Sequence, residues 1–133
     1  MPWLLKTEPD EYDWSRFVKD KRTVWDGVSN PLALKHLAAM AKGDLCLFYH
    51  TGDERRVMGV AEVVKTAYAD PTADDPKRVV VDVKVVSPLK TPVTLAQIKA
   101  DPAFQGWDLL RLARLSVVPT PQPMFDRVLE LGR

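Results

Sequence analysis

Residues 44–64 read "DLCLFYHTGDERRVMGVAEVV", two apolar stretches on either side of a run of turn-forming residues. Residues 44–49 and 57–64 are rich in the β-branched and aromatic side chains that suit a pleated surface. The intervening "HTGDERR" carries the glycine and acidic residues of a reversal, so an antiparallel hairpin is expected. Beyond it, "VVVDVKVV" at 79–86 alternates: Val79, Val81, Val83 and Val85 point one way, and Asp82 and Lys84 the other. That pattern predicts a third, half-buried strand. The connection "YADPTADDPKR" is a loop by its prolines and aspartates.

Upstream, Trp3 to Lys6 reads as a strand that Pro9 breaks, and Tyr12, Trp14, Phe17 and Val18 follow at near-helical spacing. A clearer helix begins at Asn30, which can cap it, with Pro31 in its first turn. Leu34, Leu37, Ala38 and Ala41 would form its apolar face, and Gly43 its end. Thr94 and Gln97 have the spacing of a capping box for a short helix through Ala100, and "RLSVV" before Pro119 reads as a last strand. Strands and helices do not alternate regularly. The pattern therefore predicts an α+β fold: one domain over residues 1–133, built on a mixed, mostly antiparallel sheet of five to six strands with short helices inserted and able to close into a small barrel.

The 133 residues are 46% apolar, enough for one compact core, and carry a formal charge of +1. Residues 1–66 hold ten basic and ten acidic side chains, so no global field draws in a polyanion and any nucleic-acid contact must come from a local patch. Cys46 is the only cysteine, which excludes a disulfide within the chain and a cysteine metal cluster and fits a reducing, cytoplasmic setting. The start "MPWLLKTEPDEY" turns acidic too soon for a secretion signal, and no run approaches the roughly 20 apolar residues of a membrane span. A soluble protein without membrane partners is expected.

Catalytic and metal motifs are missing from the sequence. Cys46 and His50 would lie about 13 Å apart along one strand, too far for a thiolate–imidazole pair. His36 and His50 are the only histidines, and neither belongs to an HExxH pattern. His36 is expected to be solvated and Cys46 to be a small core residue. Among the four tryptophans, Trp3, Trp14 and Trp107 read as core or rim packing. Trp25 differs, because Asp26, Gly27 and Asn30 surround it with polar groups and flexible backbone. "KTEP" at 6–9 sets a cation, a hydroxyl and a carboxylate at the end of an apolar strand, where a barrel would open.

Five words, "WLLKTEP", "VWDGVSN", "GDLCLFYHTG", "YADPT" and "RLSVVP", occur in the order and approximate spacing of the EVE domain family, which the chain resembles from Trp3 to about Pro119. Members of that family are PUA-like barrels similar to the YTH readers of methylated adenosine. The resemblance implies a binding module with no cofactor, no metal and no catalytic residues, whose partner is DNA or RNA carrying a modified base, in particular a cytosine derivative. By motif position it assigns Lys6, Thr7 and Glu8, the Trp25–Asp26 pair, Val28 and Asn30 of the same word, Phe48, Tyr49 and His50, and Ser116 to the ligand pocket. The sequence departs from the family at Ser29, where an arginine is usual, at Thr7 and Thr51, where serines are usual, and in "VVVDVKVV", which lacks the second tryptophan of a YTH cage. The alternative readings are a binder of RNA structure using Arg55, Arg56, Lys77 and Arg78 and, last, an enzyme acting on a nucleobase or small metabolite.

Overall fold

The computed structural model describes residues 1–133. In chain order the elements are β1 (Trp3–Thr7), α1 (Trp14–Asp20), β2 (Arg22–Trp25), α2 (Pro31–Ala39), β3 (Leu45–His50), β4 (Arg56–Ala69), β5 (Val79–Thr94), α3 (Leu95–Ala100), α4 (Asp108–Arg111), β6 (Val117–Pro119) and α5 (Gln122–Leu131). The six strands form one mixed sheet in the order β2-β5-β4-β3-β1-β6. The expected hairpin is β3–β4, running from the Leu45–Glu62 pair to the His50–Arg56 pair. Only β1 and β3 are parallel. Parallel neighbours need a crossover, and α1, β2 and α2 supply it.

Register shifts at four places along β4–β5 bend the sheet, as bulges do. The bend is large enough that Trp25 on edge strand β2 meets Phe48 on β3, their rings 5.6 Å apart, although β5 and β4 lie between them in the sheet. The edges β2 and β6 do not pair. The expected barrel is thus a curled sheet left open along one seam.

Local signals are seen where short-range hydrogen bonds set them. Asn30 Oδ1 accepts from the Ala33 amide at 3.0 Å, and Thr94 and Gln97 form the expected capping box. Elsewhere the structure corrects the sequence. Helix α2 stops at Ala39 rather than near Gly43; it buries Ala33 and Leu37 and packs half-buried Leu34 against the core, while Ala38 and Ala41 are exposed. Strand β5 continues past Val86 to Thr94 through Pro88 and Pro92. Pro88 pairs with Gly59 beside a register shift, where a missing ladder N–H is tolerated. Strand β2 and helix α5 had no separate signal, because each is defined by what it packs on: β2 by pairing with β5, and α5 by its contact with β5, where the Thr91 amide donates to Gly132 O at 3.0 Å.

Phe48 is the centre of the core, fully buried, stacked on Phe17 at 5.0 Å and edge-on to Trp14 at 5.2 Å. Trp14 lies so close over β4 that a Cβ on Gly59 would sit 2.4 Å from its Cη2, which leaves glycine as the residue that fits. The indole N–H groups of Trp3 and Trp107 donate to Asp44 at 2.9 Å and to the Pro119 carbonyl at 3.2 Å. His36 is half-buried, its ring 5.8 Å from Trp3 and its Nε2 enclosed without a partner, rather than solvated. Cys46 is a core residue, its thiol pushed up by burial. No helix is long and apolar enough to cross a membrane.

Candidate functional site

The open seam holds a cleft of about 760 Å³. One wall is the end of β1 with Lys6, Thr7 and Glu8, together with Ser116 before β6; the facing wall is β2 and its continuation, Trp25, Asp26 and Val28. Positions more than a hundred residues apart meet because β1 pairs with β6: the Lys6 amide donates to the Ser116 carbonyl at 2.9 Å. Lys6 Nζ donates to Ala113 O at 2.9 Å, and burial lowers its pKa from the ordinary lysine value.

After β1 the chain makes one tight turn. The Glu8 carbonyl accepts from the Glu11 and Tyr12 amides, and Thr7 Oγ1 donates to Tyr12 O at 2.9 Å. This turn carries Tyr12 into the cleft, where its hydroxyl donates to Asp20 at 2.9 Å and the Arg16 guanidinium lies 5.8 Å from its ring centre. Glu8 is exposed, and one of its carboxylate oxygens accepts from Thr51 Oγ1 at 2.5 Å. A carboxylate so held still has acceptor capacity on its other oxygen.

Trp25 is 7% exposed, with its ring edge-on to Phe48. Unlike Trp3 and Trp107, it gives its N–H to no protein acceptor, yet that nitrogen is not sealed from solvent. A free donor therefore sits on a residue that lines the cleft. At the far end lies Asp82, which alternation had placed on the open face but which is buried, because Arg22 Nη2 donates to it at 2.8 Å and the Tyr68 hydroxyl at 2.5 Å.

A second cleft of about 540 Å³ lies on the other side of the same wall and shares Lys6, Thr7, Glu8 and Ser116 with the first. Tyr49 belongs to this second cleft. Phe48, His50 and Asn30 line neither. Phe48 lies beneath Trp25 in the core, and Asn30 is engaged as the cap of α2. His50 is buried, and its Nε2 accepts from the Trp14 amide at 3.0 Å. The proton is therefore on Nδ1, which donates to Glu54 at 2.9 Å. Residues that reach the first cleft without a signal in the sequence include Tyr12, Arg16, Arg22 and Asp82. Arg22 and Asp82, for example, are 60 residues apart.

Two carboxylates, buried Asp82 and half-buried Asp44, predict acid sensitivity. Burial pushes Asp82 up, but hydrogen bonds from Tyr68 and Arg22 outweigh it and hold the group below its ordinary value. Asp44 behaves likewise, with burial offset by the Ala41 amide, the Trp3 indole and the N-terminus. A carboxyl depressed in the folded state contributes stability that is present above the unfolded pKa of about 4 and is lost as pH falls through the folded value. Urea midpoints should hold from neutrality to about pH 4 and fall below it. Asp82→Asn should start lower and decline less steeply. An unchanged slope in that variant would exclude Asp82 as a source of the acid sensitivity.

Comparison with known proteins places this geometry. The EVE domain profile matches residues 2–131. Human thymocyte nuclear protein 1 is 31% identical over 97% of this chain and 72% of its own length. The solution structure of Rpa0253 from Rhodopseudomonas palustris superposes with a TM-score of 0.93 at 39% identity, covering 98% of this chain and 92% of that one. Human THYN1, solved in complex with DNA containing 5-methylcytosine, superposes with a TM-score of 0.89 at 30% identity over 99% of this chain and 97% of its own. The sheet, its seam and the sequence words at its rim thus have one explanation, and the chain belongs to the EVE domain family.

Proposed function

We propose that this protein is a non-catalytic reader that takes one modified cytosine of a nucleic acid out of its stack and into the first cleft. The observation that carries the reading is the lining of that cleft, in which an indole with a free N–H, a second aromatic ring and a carboxylate with one free oxygen face a space of about 760 Å³. A space of this size lies within the range of small-molecule sites. Extruding a base costs a few kcal/mol, and stacking on an aromatic side chain returns about 1–3 kcal/mol. Trp25 and Tyr12 are the aromatic residues on the cleft's lining that are available for it. The Glu8 oxygen can accept from an exocyclic amine, and the Trp25 N–H can donate to a ring acceptor.

The non-catalytic part of the reading rests on how the reactive groups are used. The Cys46 thiol is enclosed and held protonated by burial, and both ring nitrogens of His50 are occupied in tying α1 and Glu54 to the end of β3. DNA is the first choice of polymer, because the solved complex of the human relative holds DNA.

The test is a calorimetric titration with 5-methyl-2′-deoxycytidine, 2′-deoxycytidine, 5-methylcytidine and an N6-methylated adenosine. Selective binding of a methylated cytosine without turnover is expected; turnover of any member would point to an enzyme, and indifference to the base to a binder of RNA or DNA structure. In the same titration Glu8→Gln replaces an acceptor with a donor, and a polar partner left unmade costs about 1–3 kcal/mol. Affinity for the amine-bearing base should fall by roughly tenfold to a hundredfold while the urea midpoint stays in place. Equal dissociation constants would remove Glu8 from the site.

A further inference from the structure

We infer that the second cleft is a phosphate track, which holds the sugar–phosphate backbone beside the nucleotide whose base enters the first cleft. The inference rests on the base-reading proposal for the identity of the polymer, and on three independent features of the structure for the track itself.

The first is the contrast in charge across one shared wall. The first cleft is lined by five carboxylates, Glu8, Glu11, Asp20, Asp26 and Asp82, against the cations Lys6, Arg16 and Arg22. That lining suits an uncharged base and repels phosphate. The second is lined by Lys6, Arg55, Lys99 and Arg114 against Glu8 alone, and the Glu8 carboxylate is hydrogen-bonded to Thr51. With a formal charge of only +1 over the whole chain, such a concentration is local.

The second feature is how the cations are held. Arg22, Arg56, Arg111 and Arg127 are each paired with a carboxylate of the protein. Arg55, Lys99 and Arg114 have no such partner; they are exposed and come from three separate places, the β3–β4 turn, α3 and the segment before β6. Arg55 also has a φ of 45°, in the left-handed region that a side-chain-bearing residue enters at a cost of about 1 kcal/mol. Its carbonyl is fixed there by the Leu95 amide at 2.8 Å, which ties the turn to the start of the helix that carries Lys99.

The third is adjacency. Lys6, Thr7, Glu8 and Ser116 line both clefts, so a strand lying across this rim has its base on one side and its phosphates on the other. Tyr49, Leu95 and Leu109 give the second cleft an apolar floor against which a sugar can rest.

The experiment compares wild type with the double charge reversal Lys99→Glu and Arg114→Glu, both at exposed positions. Each protein is titrated with free 5-methyl-2′-deoxycytidine and with a short DNA strand carrying one 5-methylcytosine at several salt concentrations. A reversal of the same size at exposed Lys35 and Lys42, outside both clefts, is the control for net charge. The track predicts that the reversal weakens the oligonucleotide more than about tenfold at low salt and flattens the logarithmic salt slope by about 1.4, the share of two phosphate contacts on a single strand. Nucleoside affinity and the control variant should be unchanged. An oligonucleotide affinity and slope untouched by the reversal, or equally reduced in the control, would overturn the track. Failure of the wild type to bind the oligonucleotide at all would overturn it as well. A slope that depends on Lys99 and Arg114 in a protein indifferent to cytosine methylation would uphold the track and reject the base reader.

Discussion

Trp25→Ala is expected to lower affinity for the modified nucleoside by about a hundredfold, through loss of a stacking surface worth about 1–3 kcal/mol together with the free indole N–H. The family resemblance assigns this residue to the ligand pocket, and a ring with one side on a cavity would cost little stability when truncated. The structure raises that cost. Trp25 is 7% exposed and leans on Phe48 across the curled sheet, so truncation removes core contacts and should destabilise the fold by about 3 kcal/mol, near the lower end for a buried tryptophan. Trp25→Phe separates the two effects: it keeps a ring against Phe48 but lacks the N–H, and should restore most of the stability and only part of the affinity. Calorimetric titration and urea unfolding read both quantities. A folded Trp25→Ala protein that binds the nucleoside as tightly as wild type would remove Trp25 from the site.

Phe48→Ala should have the largest effect on stability, about 3–5 kcal/mol as for a fully buried phenylalanine. Its ring touches those of Trp14, Phe17, Trp25 and His50, so the cavity would open where α1, β2 and β3 meet and the surrounding rings are too constrained to collapse into it. The family resemblance assigns Phe48 to the pocket, whereas the structure has it lining neither cleft. The more conservative Phe48→Leu should therefore retain nucleoside affinity at a reduced urea midpoint. Loss of affinity in a stably folded Phe48→Leu protein would show that the residue contacts the ligand, and an unchanged midpoint in Phe48→Ala would refute the aromatic cluster as the centre of the core.

What was legible in the sequence is what short-range chemistry decides. Asn30 and Pro31 open a helix because the cap and its acceptor are three residues apart; Thr94 and Gln97 do the same, and the 44–64 hairpin turns where its own residues favour a reversal. The motif words also placed Lys6, Thr7, Glu8, Trp25, Asp26, Val28 and Ser116 in one site, and the structure gathers them around one cleft. Periodicity failed where both faces of a strand are covered. In β3, Phe48 and His50 share a face opposite to that of Leu47 and Tyr49, yet all are buried, so alternation carries no sign of which face meets a ligand. It failed in β5 for another reason: Asp82 is buried because Arg22 and Tyr68 reach it, and neither is near it in the chain. Tertiary structure alone decided the seam and the separation of an acidic cleft from a basic one. Each depends on how far the β4–β5 bulges curl the sheet, and that curvature is set by burying Phe48, Trp14 and Trp25 together rather than by any local run of residues.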